Sequence, residues 1–330
     1  MSLANIKILA TGGTIAGSSG SQIDLTEYSA GSIGVQDLID AVPQITQFAN
    51  VGGEQICNIN SSNITEDVWL KLAKRVNELL AADDTDGVVI THGTDTLEET
   101  AYFLNLTVKS SKPVVIVGSM RPATAISADG PLNLLNAVIL AASKKAHGLG
   151  VLVLLNDEIN AAREVTKTNT LCVQTFKTPD LGVLGYMLNA EPVFYRKPVR
   201  KHTADSEFSV AGLSQLPYVK AVYGQACDDR VLIDALIAHG AKGIVYAGMG
   251  NGNIHYLSEE ALVDARQQGI AVVVSSRTGS GIVSETKEKW QQHRFVYSDN
   301  LTAPKASILL SLALTTTSDP SEIKRIFAEY

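Results

Sequence analysis

Four short apolar runs, at residues 6–10, 88–91, 114–117 and 151–155, constrain this chain more than any other feature. Apart from Lys7 in the first and Thr91 closing the second, each is continuous rather than alternating and is bounded by turn residues, the pattern of strands covered on both faces. Helical periodicity fills the gaps. Thr65 stands where an N-cap would, Glu66 and Asp67 follow in the first turn, and Val68, Leu72, Val76 and Leu79 recur every three or four residues. Residues 133–145 repeat the pattern. Buried strands alternating with helices predict an α/β fold: a doubly wound, mostly parallel sheet with helices on both faces. A second α/β unit follows, with strands at 241–247 and 270–274, a helix at 257–268 between them, and terminal helices at 304–315 and 321–330.

The 330 residues give room for two domains. The basic, proline-bearing run Arg196-Lys197-Pro198-Val199-Arg200-Lys201-His202 opens a stretch that reads as the connection between them. The expected division is a larger N-terminal α/β domain at 1–195, a linker at 196–216, and a smaller C-terminal α/β domain with a parallel sheet at 217–330.

Twenty-seven basic against 34 acidic residues leave a net charge of −7. That argues against nucleic-acid binding, because phosphate contacts need a basic surface. No apolar run reaches the length of about 18 residues that a membrane span requires. Cys57, Cys172 and Cys227 contain no C-x-x-C pair and support neither a disulfide scaffold nor a zinc ribbon. The six histidines show no H-E-x-x-H spacing, so no metal is expected. The chain opens Met1-Ser2-Leu3 with no basic segment and long apolar core behind it, and no signal peptide is read here. The expected location is the periplasm if a leader was removed and the cytoplasm otherwise.

In open parallel sheets, ligands bind beyond the carboxyl ends of the strands. Three strand ends carry glycine and small polar residues there: Thr11-Gly12-Gly13-Thr14-Ile15-Ala16-Gly17, Thr91-His92-Gly93-Thr94-Asp95-Thr96 and Gly248-Met249-Gly250-Asn251-Gly252-Asn253. Glycine lets backbone N–H groups approach a ligand closely. Threonine adds a hydroxyl, and Asp95 a carboxylate. Taken singly, each is also the composition of a tight strand-to-helix connection. A dinucleotide reading fails on spacing, since Gly12, Gly13 and Gly17 do not make G-x-G-x-x-G; a P-loop and a G-x-S-x-G elbow are absent too.

Ala10-Thr11-Gly12-Gly13-Thr14-Ile15-Ala16-Gly17 together with Ile90-Thr91-His92-Gly93-Thr94-Asp95-Thr96 resembles the two signatures of the bacterial-type L-asparaginase family. The likeness is nearest to its type II subgroup, which includes the glutaminase-asparaginases. It continues through Met120-Arg121-Pro122, Ser127-Ala128-Asp129-Gly130-Pro131, Ala162-Arg163-Glu164-Val165-Thr166-Lys167 and Ser275-Ser276-Arg277, and covers essentially the whole chain.

That family hydrolyses the side-chain amide of asparagine to aspartate and ammonia without a cofactor. Carboxamides resist water, so the reaction needs an activated nucleophile and a place for the developing oxyanion. The resemblance implies Thr14 as the nucleophile, acting through a β-aspartyl acyl-enzyme, with Tyr28 contacting it from a lid at 17–31. It implies Thr94, Asp95 and Lys167 as a second triad in which Lys167 tunes Thr94. The backbone N–H groups of Thr94 and Gly13 would face the oxyanion. Asp95 would hold the substrate's ammonium and Ser61 its carboxylate, with Ser62, Gly93 and Ser119 lining the same site. Asn253 and Glu288, with Glu285 as the alternative to Glu288, match residues that in the family come from a neighbouring subunit. This implies an intimate dimer within a homotetramer. His92 reads as a hydrogen-bonded core residue, and Asp129 as a turn residue.

One position departs from the family pattern. Where Gln or Glu usually follows the serine matched by Ser61, this chain has Ser62. The shorter side chain removes a contact to the ammonium end, which costs about 1–3 kcal/mol unless water replaces it. Glutamine side activity stays open. The family's disulfide has no cysteine counterpart here. Expected partners are L-asparagine and L-aspartate, with L-glutamine and L-glutamate as a further pair, and neither nucleic acid nor membrane. Two rival readings remain: an amidohydrolase preferring glutamine, and a regulatory α/β protein whose glycine turns hold a nucleotide or other small ligand.

Overall fold

The computed structural model describes residues 2–23, 31–285 and 287–330. It consists of two compact units, Met1–Leu213 and Ser214–Tyr330.

The strands of the first unit are β1 (Ala4–Gly12), β2 (Ala49–Ile59), β3 (Gly87–Thr91), β4 (Val114–Val117), β5 (Val151–Leu155), β6 (Glu158–Ala161), β7 (Thr166–Lys167), β8 (Phe176–Lys177), β9 (Gly185–Leu188) and β10 (Glu191–Phe194). Eight of them form one sheet in the order β10-β9-β6-β5-β4-β3-β1-β2. All pairings from β2 to β5 are parallel, and those from β5 out to β10 are antiparallel. Every residue of β3, β4 and β5 is buried, which is why these segments read as unbroken apolar runs. β2 lies at the edge with most of its side chains partly in solvent. Its sequence, ANVGGEQICNI, therefore carries little apolar signal, and this strand is a feature the sequence pattern does not mark.

The helices are α1 (Val35–Asp40), α2 (Glu66–Ala81), α3 (Leu97–Thr107) and α4 (Gly130–Ala142). The Thr65 hydroxyl caps α2 by accepting the N–H of Val68 at 3.4 Å. Leu72, Val76 and Leu79 are buried along its inner face. α4 packs on β1, β3 and β4, and α3 on β5. The stretch after Arg196 has anchors of its own. Phe208 and Val210 are buried, and the Ser206 hydroxyl donates to the carbonyl of Leu106 in α3.

β1 has β2 on one side and β3 on the other, so the strand order reverses around it. Such a reversal opens a crevice at the strand ends. Ala10 of β1 pairs with Thr91 of β3, which sets the loops after these two strands side by side.

The second unit holds β11 (Val219–Tyr223), β12 (Gly243–Gly248), β13 (Ala271–Ser276) and β14 (Val296–Tyr297), a parallel sheet in chain order. Its helices are α5 (Val231–Ala238), α6 (Tyr256–Gln267), α7 (Glu288–Gln292), α8 (Ala303–Ala313) and α9 (Pro320–Glu329). Ile244, Tyr246, Leu262, Val272, Val274 and Trp290 are part of its core. The strands expected at 241–247 and 270–274 and the helix at 257–268 lie within two residues of β12, β13 and α6. Among the described residues, no helix is long and apolar enough to cross a membrane.

Candidate active site

β1 ends at Gly12 and Gly13 follows it, with φ angles of 99° and 81°. A side chain is strained in that region, and glycine is not. Space forbids one as well. A Cβ on Gly93 would meet the Ser61 side chain at 2.6 Å and the Gly13 Cα at 3.0 Å. The ends of β1, β2 and β3 therefore meet through glycine and one small serine. Thr14 opens the single turn Thr14–Ala16 just beyond, and its side chain is buried. The Gly13 N–H donates to the carbonyl of Ile59 at 3.1 Å. It continues the pairing with β2 and is not turned toward an oxyanion, contrary to the expectation for this group.

Ser61 holds the third loop in place. Its hydroxyl accepts the N–H of Asp95 at 3.2 Å, and its carbonyl accepts the Thr96 hydroxyl at 2.7 Å. Thr94, between Gly93 and Asp95, is buried. The Lys167 ammonium donates to Thr94 Oγ1 at 3.0 Å and to Asp95 Oδ1 at 2.7 Å. The lysine side chain is largely buried, at 18% exposure, while that of Asp95 is 54% exposed. A cation thus bridges a buried hydroxyl to a carboxylate open to solvent, an arrangement suited to moving a proton at Thr94 Oγ1.

Ser119 follows β4, is fully buried, and donates to the Arg121 carbonyl at 2.7 Å. Gly130, at the start of α4, lies between Ser119 and Ile15. The Asp129 carboxylate accepts the N–H groups of Met120 and Arg121 at 2.9 and 3.0 Å and so shapes this loop. Ser62 is exposed, with its N–H on the Asn60 side chain at 3.3 Å.

His92 is fully buried in a hydrogen-bonded chain. Trp69 Nε1 donates to Thr100 Oγ1 at 2.8 Å, Thr100 meets His92 Nε2 at 3.0 Å, and His92 Nδ1 meets the Gly93 carbonyl at 2.7 Å. A carbonyl can only accept, so Nδ1 carries the proton and Nε2 takes the Thr100 hydroxyl. Burial pushes the imidazole down to about 4, against the opposing effect of the Gly93 carbonyl.

Tyr28 lies outside the described residues. Asn253 and Glu288 belong to the second unit. Asn253 closes a tight turn with Met249, in which each N–H donates to the other's carbonyl at 2.9 and 2.7 Å. Glu288 opens α7 and is exposed, whereas Glu285 pairs with Lys324 at 2.6 Å. Two residues here carry no mark in the sequence. Lys287 reaches Asn253 Oδ1 at 2.9 Å and lies over the Trp290 ring at 4.1 Å. Glu98 accepts the backbone N–H of Lys167 at 2.5 Å and the Thr166 hydroxyl at 3.0 Å. Among the described residues, no cluster of three or more His, Cys, Asp or Glu is arranged to hold a metal ion.

Two family profiles match the chain. One, described as Asparaginase, N-terminal, covers residues 5–200, and the other, Glutaminase/Asparaginase C-terminal domain, covers residues 218–327. The chain belongs to the asparaginase family. L-asparaginase 2 of Bacillus subtilis is 54% identical over 329 residues, spanning 99% of this chain and 87% of that protein. L-asparaginase 2 of Escherichia coli is 50% identical, over 100% of this chain and 94% of its own. The glutaminase-asparaginase of Pseudomonas fluorescens is 45% identical, over 99% and 91%. The crystal structure of the probable cytoplasmic L-asparaginase from Campylobacter jejuni matches at a TM-score of 0.97 and 49% identity, covering 99% of this chain and 100% of that one. In this asparaginase-family chain the N-terminal profile spans Thr14, Ser61, Thr94, Asp95 and Lys167, and the C-terminal profile spans Asn253 and Glu288.

Proposed function

We propose that the protein is an L-asparaginase of the type II kind, hydrolysing the side-chain amide of L-asparagine to L-aspartate and ammonia. Thr14 Oγ attacks the amide carbon, the C–N bond breaks, and ammonia leaves with the proton given up by the hydroxyl. Water then cleaves the β-aspartyl ester and restores Thr14. Thr94, Asp95 and Lys167 handle the proton, Tyr28 supports Thr14, and the N–H of Thr94 faces the oxyanion. Ser61 and Asp95 take the substrate's carboxylate and ammonium, with Gly13, Gly93, Ser62 and Ser119 around them.

The observation that carries this reading is the Lys167 ammonium, 3.0 Å from Thr94 Oγ1 and 2.7 Å from Asp95 Oδ1, at strand ends walled by glycine. A pocket that only binds a ligand does not need that set. Relatives named glutaminase-asparaginase support L-glutamine as a second substrate. The working molecule is a homotetramer, a dimer of intimate dimers, in which Asn253 and Glu288 complete the site of a neighbouring subunit. Exposed Leu188, Tyr195 and Val199 in the first unit and Val231 and Leu232 in the second support such association. Relatives are named both periplasmic and cytoplasmic, and a leader decides between the two locations.

The test is ammonia release from L-asparagine and L-glutamine at neutral pH by the wild type, Thr14→Ala and Thr94→Ala. Each variant is expected to fold and to lose at least about 100-fold of the wild-type rate. A folded wild-type oligomer that releases ammonia from neither amide would overturn the reading.

A further inference from the structure

We propose that Glu98 is a positioning residue for Lys167, fixing where the lysine ammonium meets Thr94 and Asp95; this rests on the reading of Lys167 as part of the catalytic set. Glu98 lies in the first turn of α3 and is only 9% exposed. A buried carboxylate is costly unless its oxygens are hydrogen-bonded. Both are used, and both by the same strand. Oε2 accepts the backbone N–H of Lys167 at 2.5 Å, and Oε1 accepts the Thr166 hydroxyl at 3.0 Å. The N-terminal turn of a helix also favours a negative charge.

The strand that Glu98 grips is short. β7 is two residues long and, among the described residues, pairs with β8 apart from the eight-stranded sheet, with buried Val165 before it and the Thr168 N–H on the Thr175 carbonyl after it. Lysine has a flexible four-carbon stem, so the ammonium goes where the backbone and its partners put it. Here both ends are held by one stretch of chain. Thr94 and Asp95 receive the ammonium, and Glu98 receives the main chain. Releasing the backbone end lets the ammonium drift while leaving its partners in place. A misplacement of about 1 Å at a reacting group can cost on the order of 100-fold in rate.

The experiment measures kcat and KM for L-asparagine with the full-length protein, Glu98→Gln, Lys167→Met and the double variant. Glutamine keeps one acceptor oxygen but no charge, so the Lys167 N–H faces either an amide nitrogen, which cannot accept, or a neutral oxygen, which is a weaker partner than a carboxylate. Glu98→Gln is expected to lower kcat about 10- to 100-fold with KM within about threefold. In the Lys167→Met background, the same change is expected to lower kcat by less than about twofold, since residues acting as a unit are not additive. If Glu98→Gln keeps the wild-type kcat, or costs as much without Lys167 as with it, Glu98 is only a scaffold residue and the proposal fails. If Lys167→Met itself keeps the wild-type kcat, the reading of Lys167 is what fails. Should Glu98→Gln not fold, Thr166→Val removes only the donor to Oε1. It is expected to lower kcat about 3- to 10-fold, again only where Lys167 is present.

Discussion

Gly13 and Gly93 face each other backbone to backbone: a Cβ on Gly13 would lie 2.3 Å from both the nitrogen and the Cα of Gly93. No side-chain rotation relieves that contact. Gly13 is also held at φ 81°. Gly13→Ala is expected to destabilise the first unit by more than the roughly 1–2 kcal/mol of left-handed strain alone. It should also lower kcat at least about 100-fold by displacing the Gly93–Thr94 peptide. Gly182→Ala is the control, because its φ is 76° and nothing lies within 4 Å of its added Cβ. It should cost only the strain and leave kcat alone. Urea midpoints and ammonia release on both variants check the contrast, and equal losses would refute it.

Lys167 should matter far more to rate than to stability. Its partner Asp95 is 54% exposed, and exposed ion pairs contribute at most about 1 kcal/mol. Lys167→Met is therefore expected to shift the urea midpoint little. The loss of a proton-handling group should lower kcat by about 100- to 10,000-fold. A variant that unfolds in proportion to its lost activity would contradict this.

The contrast between β3 and β7 explains how much was legible in the sequence. β3, β4 and β5 are buried throughout, so each residue's apolar character reports its place. The Thr65 cap is legible because its partner, Val68, is three residues away. β2 is not, because an edge strand half in solvent has no need of an apolar run. Lys167 sits on a two-residue strand with no periodicity, and only the family motif pointed to it. Glu98 was missed because its partners are 68 and 69 residues away, and nothing local in Leu97-Glu98-Glu99 separates a buried carboxylate from a solvated one. Lys287 is hidden likewise, with Asn253 34 residues off. The partner of the Gly13 N–H is hidden as well, because its acceptor, Ile59, belongs to the unmarked β2.

Ser62 offers a gain rather than a loss. Its side chain is exposed at the turn Ser61–Asn63, next to the buried Ser61. Ser62→Gln restores the family's longer amide toward the ammonium end of the substrate. One added polar contact of about 1.4 kcal/mol corresponds to a tenfold lower KM for L-asparagine. kcat should not change, because such a contact holds substrate and transition state alike. An unchanged KM, with the ratio of asparagine to glutamine turnover also unchanged, would show that Ser62 does not face the substrate.

His92 should give the protein an acid-sensitive stability unrelated to its catalysis. Burial lowers the imidazole to about 4 in the folded chain, against about 6.5 when unfolded. As pH falls, the unfolded state therefore takes up the proton first. The stability held above pH 6.5 is lost as pH drops toward 4, and below 4 the loss is complete. A gap of this size amounts to about 3 kcal/mol. His92→Gln can still donate to the Gly93 carbonyl but does not titrate. Measured at fixed protein concentration, the wild-type urea midpoint should fall more steeply between pH 6.5 and 4 than that of the variant. Above pH 5 the ring stays mostly neutral, so ammonia release should follow the same pH profile in both proteins. Parallel stability curves would mean that the imidazole takes up its proton without unfolding the chain around Trp69 and Thr100.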